Sequence, residues 1–219
     1  MQKDSKLSGV VTRCVISQPR YLPSMQYIER IRKADVFVIY DVVQRVSRGY
    51  ENRNKLRDDK WLTIPVEGSS RTLIKNAFIK DNGWQEDHRN KIKELYQHEE
   101  RYNQEVVDMY LNRYTHPSYL RSQLYGLVWL LGFFGIDTPV VLASDLLTEI
   151  NTGVDQLIEI TKMVNCNTYL SGATCLKYGL THEYAASKGI KLEIDPNLPY
   201  KQYGWIHDVF TGTFNTKEK

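Results

Sequence analysis

The chain is poor in cysteine, in charge of one sign and in long apolar runs, and each shortage removes a class of protein. Only Cys14, Cys166 and Cys175 occur. An odd count without a CxxC pair excludes a disulfide framework and a structural zinc site, and points to a reduced, cytoplasmic protein. Lysine and arginine number 29 against 26 aspartates and glutamates, a net charge of +3. So small an excess makes nucleic acid an unlikely partner. The longest apolar run, Val128 to Ile136, falls well short of the roughly 18 residues that a membrane span needs. The polar opening MQKDSKLSG lacks the apolar stretch of a secretory signal.

Chemical signatures are missing too. There is no GxxxxGK or GxGxxG phosphate loop and no GxSxG elbow, which weighs against P-loop hydrolysis, dinucleotide oxidoreduction and the α/β-hydrolase reaction. No histidine or acid pair has HxxxH-like spacing, so a protein-made metal site is not expected. A nucleophilic role for Cys175 has no low-pKa environment to support it.

What remains is ordinary globular composition, with 42% apolar and 25% charged residues over 219 positions. That length supports a real core, and no repeat or linker divides it. The reading is one domain over 1–219, with an ordered core from 8 to 210 and a frayed tail from 211. Tyrosine is plentiful at 15 residues, which suits both cores and polar-ligand pockets.

The order of elements predicts an α/β fold. Val10–Ile16 reads as a strand, Met25–Ala34 as a short helix with Ser24 as N-cap, and Val36–Val43 as a strand buried on both faces. Together they form a βαβ unit. A polar, basic stretch from Gln44 to Lys60 follows, then strand-like pieces at Trp61–Val66 and Leu73–Ile79. Helical periodicity runs through Trp84–Tyr96, Tyr102–Tyr114, Ser118–Phe134 and again after Val154. Short strands at Pro139–Leu142, Thr168–Leu170 and Ile190–Ile194, with a helix near Thr181–Ser187, complete the pattern. The sheet is expected to be mixed or mostly parallel, with an N-terminal βαβ unit and an inserted helical segment.

In such sheets ligands bind beyond the strands' carboxyl ends. Three loops qualify: Ser17 to Tyr21 with Gln18, Asp41 to Gln44, and Ser171–Gly172. Each residue also has a plainer explanation, since Gln18-Pro19 makes a turn and Asp41 caps a strand. The run Arg45–Lys60 carries six cations against three acids, equal to the net charge of the chain. Arg48 and Arg53, flanked by Asn52 and Asn54, suit a diphosphate, while a solvated hairpin is the alternative. His88 shares a helix face with Trp84 and Ile92 and points inward, as a core histidine satisfied by a carbonyl or as a general base.

The stretches ISQPRYLPSMQYIERIRKADVFVIYDVVQ and ENRNKLRDDKWLTIPV resemble the WbqC-like family. The resemblance runs through Gln18, Pro19, Tyr21, Pro23, Asp35, Asp41, Gln44, Asn52, Arg53, Asn54 and Trp61. It continues through Trp84, His88 and Tyr96, then TYLSGA and LPYKQYG. Ser17, Ser24 and Gln26 depart from the family pattern, where histidine, tryptophan and glycine are usual, and the WIHDVFTGTFN ending is altered. Such a changed pocket wall implies a shifted substrate or a divergent member.

The resemblance implies a role beside O-antigen and other surface-polysaccharide genes: transfer of an aminoacyl, glycyl or other acyl group to the amine of a nucleotide-linked amino sugar. No built-in cofactor is implied; an activated acyl donor is a co-substrate. On this reading Arg53 with Arg48 or Lys55 holds the diphosphate, and Gln18, Tyr21 and Asn52 orient the sugar. Gln44 and Asn54 add contacts, and His88 or Asp41 removes the amine proton. Backbone amides near Ser171 and Gly172 stabilise the oxyanion. The alternatives are a nucleotidyl- or adenylyl-transfer enzyme, against which the missing HxGH motif counts, and a non-catalytic nucleotide-sugar binding protein.

Overall fold

A computed structural model describes residues 10–46, 48–150, 153–196 and 203–213. The part of the expected tail from 214 onward and residues 198–202 of the LPYKQYG stretch lie outside the described residues.

The first strand, β1 (Arg13–Ser17), runs into a loop and then α1 (Met25–Arg32) and β2 (Val36–Ile39). The strand expected to continue to Val43 stops at Ile39, because the buried Asp41 carboxylate turns away to accept the Ser144 backbone N–H at 3.0 Å. Within the basic stretch, β3 (Arg53–Lys55) pairs antiparallel with β4 (Trp61–Thr63) in a separate two-stranded hairpin. Leu73–Ile79, expected as a strand, holds a 3₁₀ turn at Ile74–Asn76 and only isolated bridges.

Three helices follow, α2 (Trp84–Tyr96), α3 (Gln104–Leu111) and α4 (Tyr119–Phe133). The chain then returns to the sheet through β5 (Val140–Leu142), a single turn α5 (Ala143–Leu146) and α6 (Val154–Met163). It ends with β6 (Thr168–Gly172), α7 (His182–Ser187), β7 (Lys191–Asp195) and α8 (Trp205–Phe210).

The five-stranded sheet has the order β5-β2-β1-β6-β7, and every pair in it is parallel. Side chains alternate across a strand, which splits the core in two. Val15, Phe37, Ile39 and Leu170 pack on one face with α1, α2, α3, α4 and α8. Cys14, Ile16, Val38, Tyr169 and Leu192 pack on the other against α6 and α7. Both faces of a parallel sheet are thereby covered, as buried backbone and apolar runs require.

The tyrosines explain how the loops are fixed. Buried phenols carry a hydroxyl that needs a partner, and here the partners are loop backbone groups. Tyr27 donates to the Gln18 carbonyl at 3.1 Å, and Tyr119 to the Glu51 carbonyl at 2.6 Å. Tyr110 accepts from the Leu22 N–H at 3.1 Å. No helix among the described residues is long and apolar enough to cross a membrane.

Candidate functional site

The strand order fixes where a site can form. Counted along the chain, the sheet winds outward from β1 through β2 to β5, then restarts on the other side of β1 with β6 and β7. The loops after β1 and β6 therefore diverge and leave a crevice between them, the usual ligand position in an open α/β sheet. A small cleft of about 90 Å³ occupies this place, lined by Arg20, Ser24, Gln26, Tyr27 and Arg30 from the β1–α1 side and by Gly172–Thr174 after β6. Its walls are almost wholly polar. At about 30 Å³ per water, it has room for one phosphate or carboxylate group and not for a whole nucleotide.

Two guanidinium groups dominate it. Arg20 makes no ion pair among the described residues; its guanidinium carbon sits 5.1 Å from the Tyr27 ring centre and 5.9 Å from that of Tyr50. Burial presses its pKa below the ordinary arginine value, the sign that its charge lacks full solvation. Arg30 is held from behind by Asp195, whose Oδ2 lies 3.4 Å from Nε; Lys33 shares the same carboxylate at 2.7 Å. Gly172 makes room for this arrangement, since a β-carbon there would stand 3.0 Å from a guanidinium nitrogen of Arg30. The start of α1 adds its positive end. Its first turn holds no acidic residue, and the Ser24 side chain makes no capping bond. Arginine forks and a helix N-terminus are the groups that hold phosphate oxygens.

Of the residues expected at the site, Gly172 lines this cleft. Ser171 is buried beside it in β6, and the Gln18 carbonyl anchors Tyr27 on its wall. The remainder lie elsewhere. Tyr21 and His88 are buried in the helical half of the core, with the Tyr21 hydroxyl 2.7 Å from His88 Nδ1. Burial drives the imidazole pKa down to about 4, with the Thr63 backbone acting in the opposite sense. His88 is thus a buried core histidine whose neutral form is favoured, and it does not line the cleft.

Asp41 does not line it either, being fully buried where it caps α5. Asn52 and Asn54 are buried and spend their amides on the Ile64 and Leu22 carbonyls, at 3.0 and 2.6 Å. They shape the hairpin and do not reach a ligand. Gln44 and Arg48 are exposed in the loop before it. Arg53 donates twice to the Arg48 carbonyl, at 3.0 and 2.7 Å, and lies 4.0 Å over the Trp61 ring. The expected convergence of Gln18, Asp41 and the arginine run on one cavity does not occur, because Asp41 is sealed inside.

Sequence reasoning missed Arg20 and Arg30. The usable signal was the spacing of Gln26 and Arg30, four residues apart and so on one helix face, with Arg20 in the loop that feeds that helix. Ser24 and Gln26, two of the departures from the family pattern, both line the cleft. Larger surface depressions of about 690 and 680 Å³ lie along the β7 edge, behind the Asp195 that holds Arg30, and between α3 and α4. Among the described residues, no group of three or more histidine, cysteine or acidic side chains is placed to hold a metal ion.

The sequence profile of the WbqC-like protein family matches residues 18–214. An uncharacterized protein of Mycobacterium tuberculosis is 25% identical over 177 residues, covering 76% of this chain and 74% of that protein. No solved structure matches the chain.

Proposed function

Since the chain belongs to the WbqC-like protein family, we propose that its crevice holds the phosphate of a nucleotide-linked amino sugar and that the protein transfers an acyl group to the sugar amine. The observation that carries the reading is Arg20: a half-buried cation at the strand crevice that lies against the Tyr27 and Tyr50 rings, shares its cleft with Arg30 and makes no ion pair among the described residues. A cation partly withdrawn from water gains from an anionic partner, and a phosphate of the substrate supplies it.

With the phosphate anchored by Arg20 and Arg30, the sugar lies toward Gly172–Thr174. The neutral amine attacks the carbonyl carbon of an activated acyl donor. A C–N bond forms, the bond to the donor's leaving group breaks, and that group departs with the electron pair and takes up the proton that the amine loses, directly or through water. Among the described residues, no carboxylate or imidazole lines the cleft. Anchoring and proximity are therefore the contributions assigned to this chain, with backbone N–H groups after Gly172 as oxyanion donors.

The test is incubation with a panel of nucleotide-linked amino sugars and activated acyl donors, followed by mass spectrometry. The expected result is a product heavier by one acyl group. No mass gain across the panel, with folded protein, overturns the transfer reaction. The lack of a lining base favours a second reading, a nucleotide-sugar binding protein that serves a separate enzyme. It predicts saturable binding with no turnover.

A further inference from the structure

We propose that the β3–β4 hairpin carries a second subsite, in which Tyr50 and Trp61 form a stacking platform for the nucleobase of a nucleoside diphosphate whose terminal phosphate group sits in the crevice at Arg20. This inference rests on the phosphate reading of the crevice and extends it by naming the ligand class.

The size of the cleft sets the problem. Space of about 90 Å³ accepts one phosphate group, so the rest of any nucleotide must lie on the adjoining surface. On the hairpin side that surface is aromatic. Arg20 is 5.9 Å from the Tyr50 ring centre, and the Tyr50 and Trp61 rings are 5.8 Å apart with 43° between their planes. Most tyrosines of this chain are buried, yet Tyr50 is 41% exposed and Trp61 38%. Two large rings left open to water, one ring-step and two ring-steps from an arginine without an ion-pair partner among the described residues, make a continuous path out of the crevice.

Two cations on the hairpin, Lys55 and Arg53, are already committed. Lys55, directly across from Trp61 in the ladder, is held by Asp59 at 2.9 Å. The Arg53 guanidinium is tied to the Arg48 carbonyl and covers part of the Trp61 ring. Arg53 is thus part of a platform and not a phosphate clamp. Bases stack on aromatic rings and on guanidinium planes alike. A cation–aromatic contact that merely stiffens a hairpin needs no connection to the crevice; here Tyr50 supplies one.

Calorimetry with the full chain separates the two sites. Inorganic pyrophosphate probes the arginines alone, while UDP, dTDP, GDP and ADP add a base. At least one diphosphate is expected to bind about tenfold or more tightly than pyrophosphate. Trp61→Leu, or Tyr50→Leu if the first variant fails to fold by circular dichroism, erases that margin and leaves pyrophosphate affinity within about twofold. Pyrophosphate binding with no nucleoside margin, or a margin that survives both variants, overturns the platform and leaves the crevice standing. Nucleoside binding lost in Trp61→Leu but indifferent to Arg20→Gln sinks the crevice reading instead. No binding of any probe by folded protein overturns both.

Discussion

The Tyr21 hydroxyl and His88 Nδ1 share a hydrogen bond of 2.7 Å, joining the loop after the first strand to the middle of α2. The same ring of Tyr21 meets Trp84 edge-on, with centres 5.8 Å apart, and the pair forms part of an aromatic nucleus. A residue that looks like chemistry in the sequence is therefore a rivet. Tyr21→Phe leaves a buried ring nitrogen without its hydrogen-bond partner and is expected to lower stability by about 1–3 kcal/mol. Urea unfolding checks this, and an unchanged midpoint counts against the structural role.

His88 also gives the fold a pH dependence. Its folded pKa of about 4 lies below the ordinary 6.5, so between those values the unfolded chain takes up a proton that the native state refuses. Stability contributed by the neutral ring is intact above pH 7, falls as pH drops from 6.5 to 4, and levels off below. The total is on the order of 3 kcal/mol. His88→Gln should flatten that part of the stability–pH curve.

Asp208 in α8 acts in the opposite direction. Burial raises its carboxyl from 3.8 to about 7, so the native state holds the proton over that window and stability declines as pH rises through it. Asp208→Asn mimics the protonated form. It should gain on the parent by on the order of 3 kcal/mol between pH 4 and pH 8, read as a relative rise in melting temperature at the higher pH.

Gly172→Ala tests the crevice without touching an arginine. The new methyl group presses on the Arg30 guanidinium, the far end of a flexible side chain, so folding should survive while Arg30 is displaced from its place. Loss of one charge-assisted contact predicts about tenfold weaker pyrophosphate binding. Calorimetry beside a thermal melt distinguishes this from unfolding.

Gly126→Ala is expected to be far more damaging. A β-carbon there would come within 2.3 Å of the Tyr114 hydroxyl, and Tyr114 is buried between Tyr110, Tyr21 and Trp84. With no space to retreat, overpacking should cost about 1–3 kcal/mol or more. Denaturant unfolding measures it.

Local periodicity made the longer elements legible. Trp84, His88, Ile92 and Tyr96 recur every fourth residue, and all four are buried along α2. The short β3 was hidden because its inward residue is Asn54, held by a hydrogen bond to the Leu22 carbonyl and not by apolar burial. Leu73–Ile79 looked like a strand through its apolar content, yet no sheet neighbour is available there beyond isolated bridges. The order of strands was illegible for a deeper reason: parallel pairing joins segments far apart in the chain, and nothing local records it. Without that order, the loop after β2 looks as good a site wall as the loop after β6, and Arg20 and Arg30 go unnoticed.

The pairing of β1 with β6 joins Arg13 to Thr168. During synthesis the central strand gains β2 early, but its other edge stays bare until the ribosome has made some 150 further residues. Over that interval the nascent chain carries an unpaired strand edge, open to wrong partners. Folding dominated by so late a contact is slow, and an interrupted translation product ending before β6 is the form of this protein most prone to aggregate.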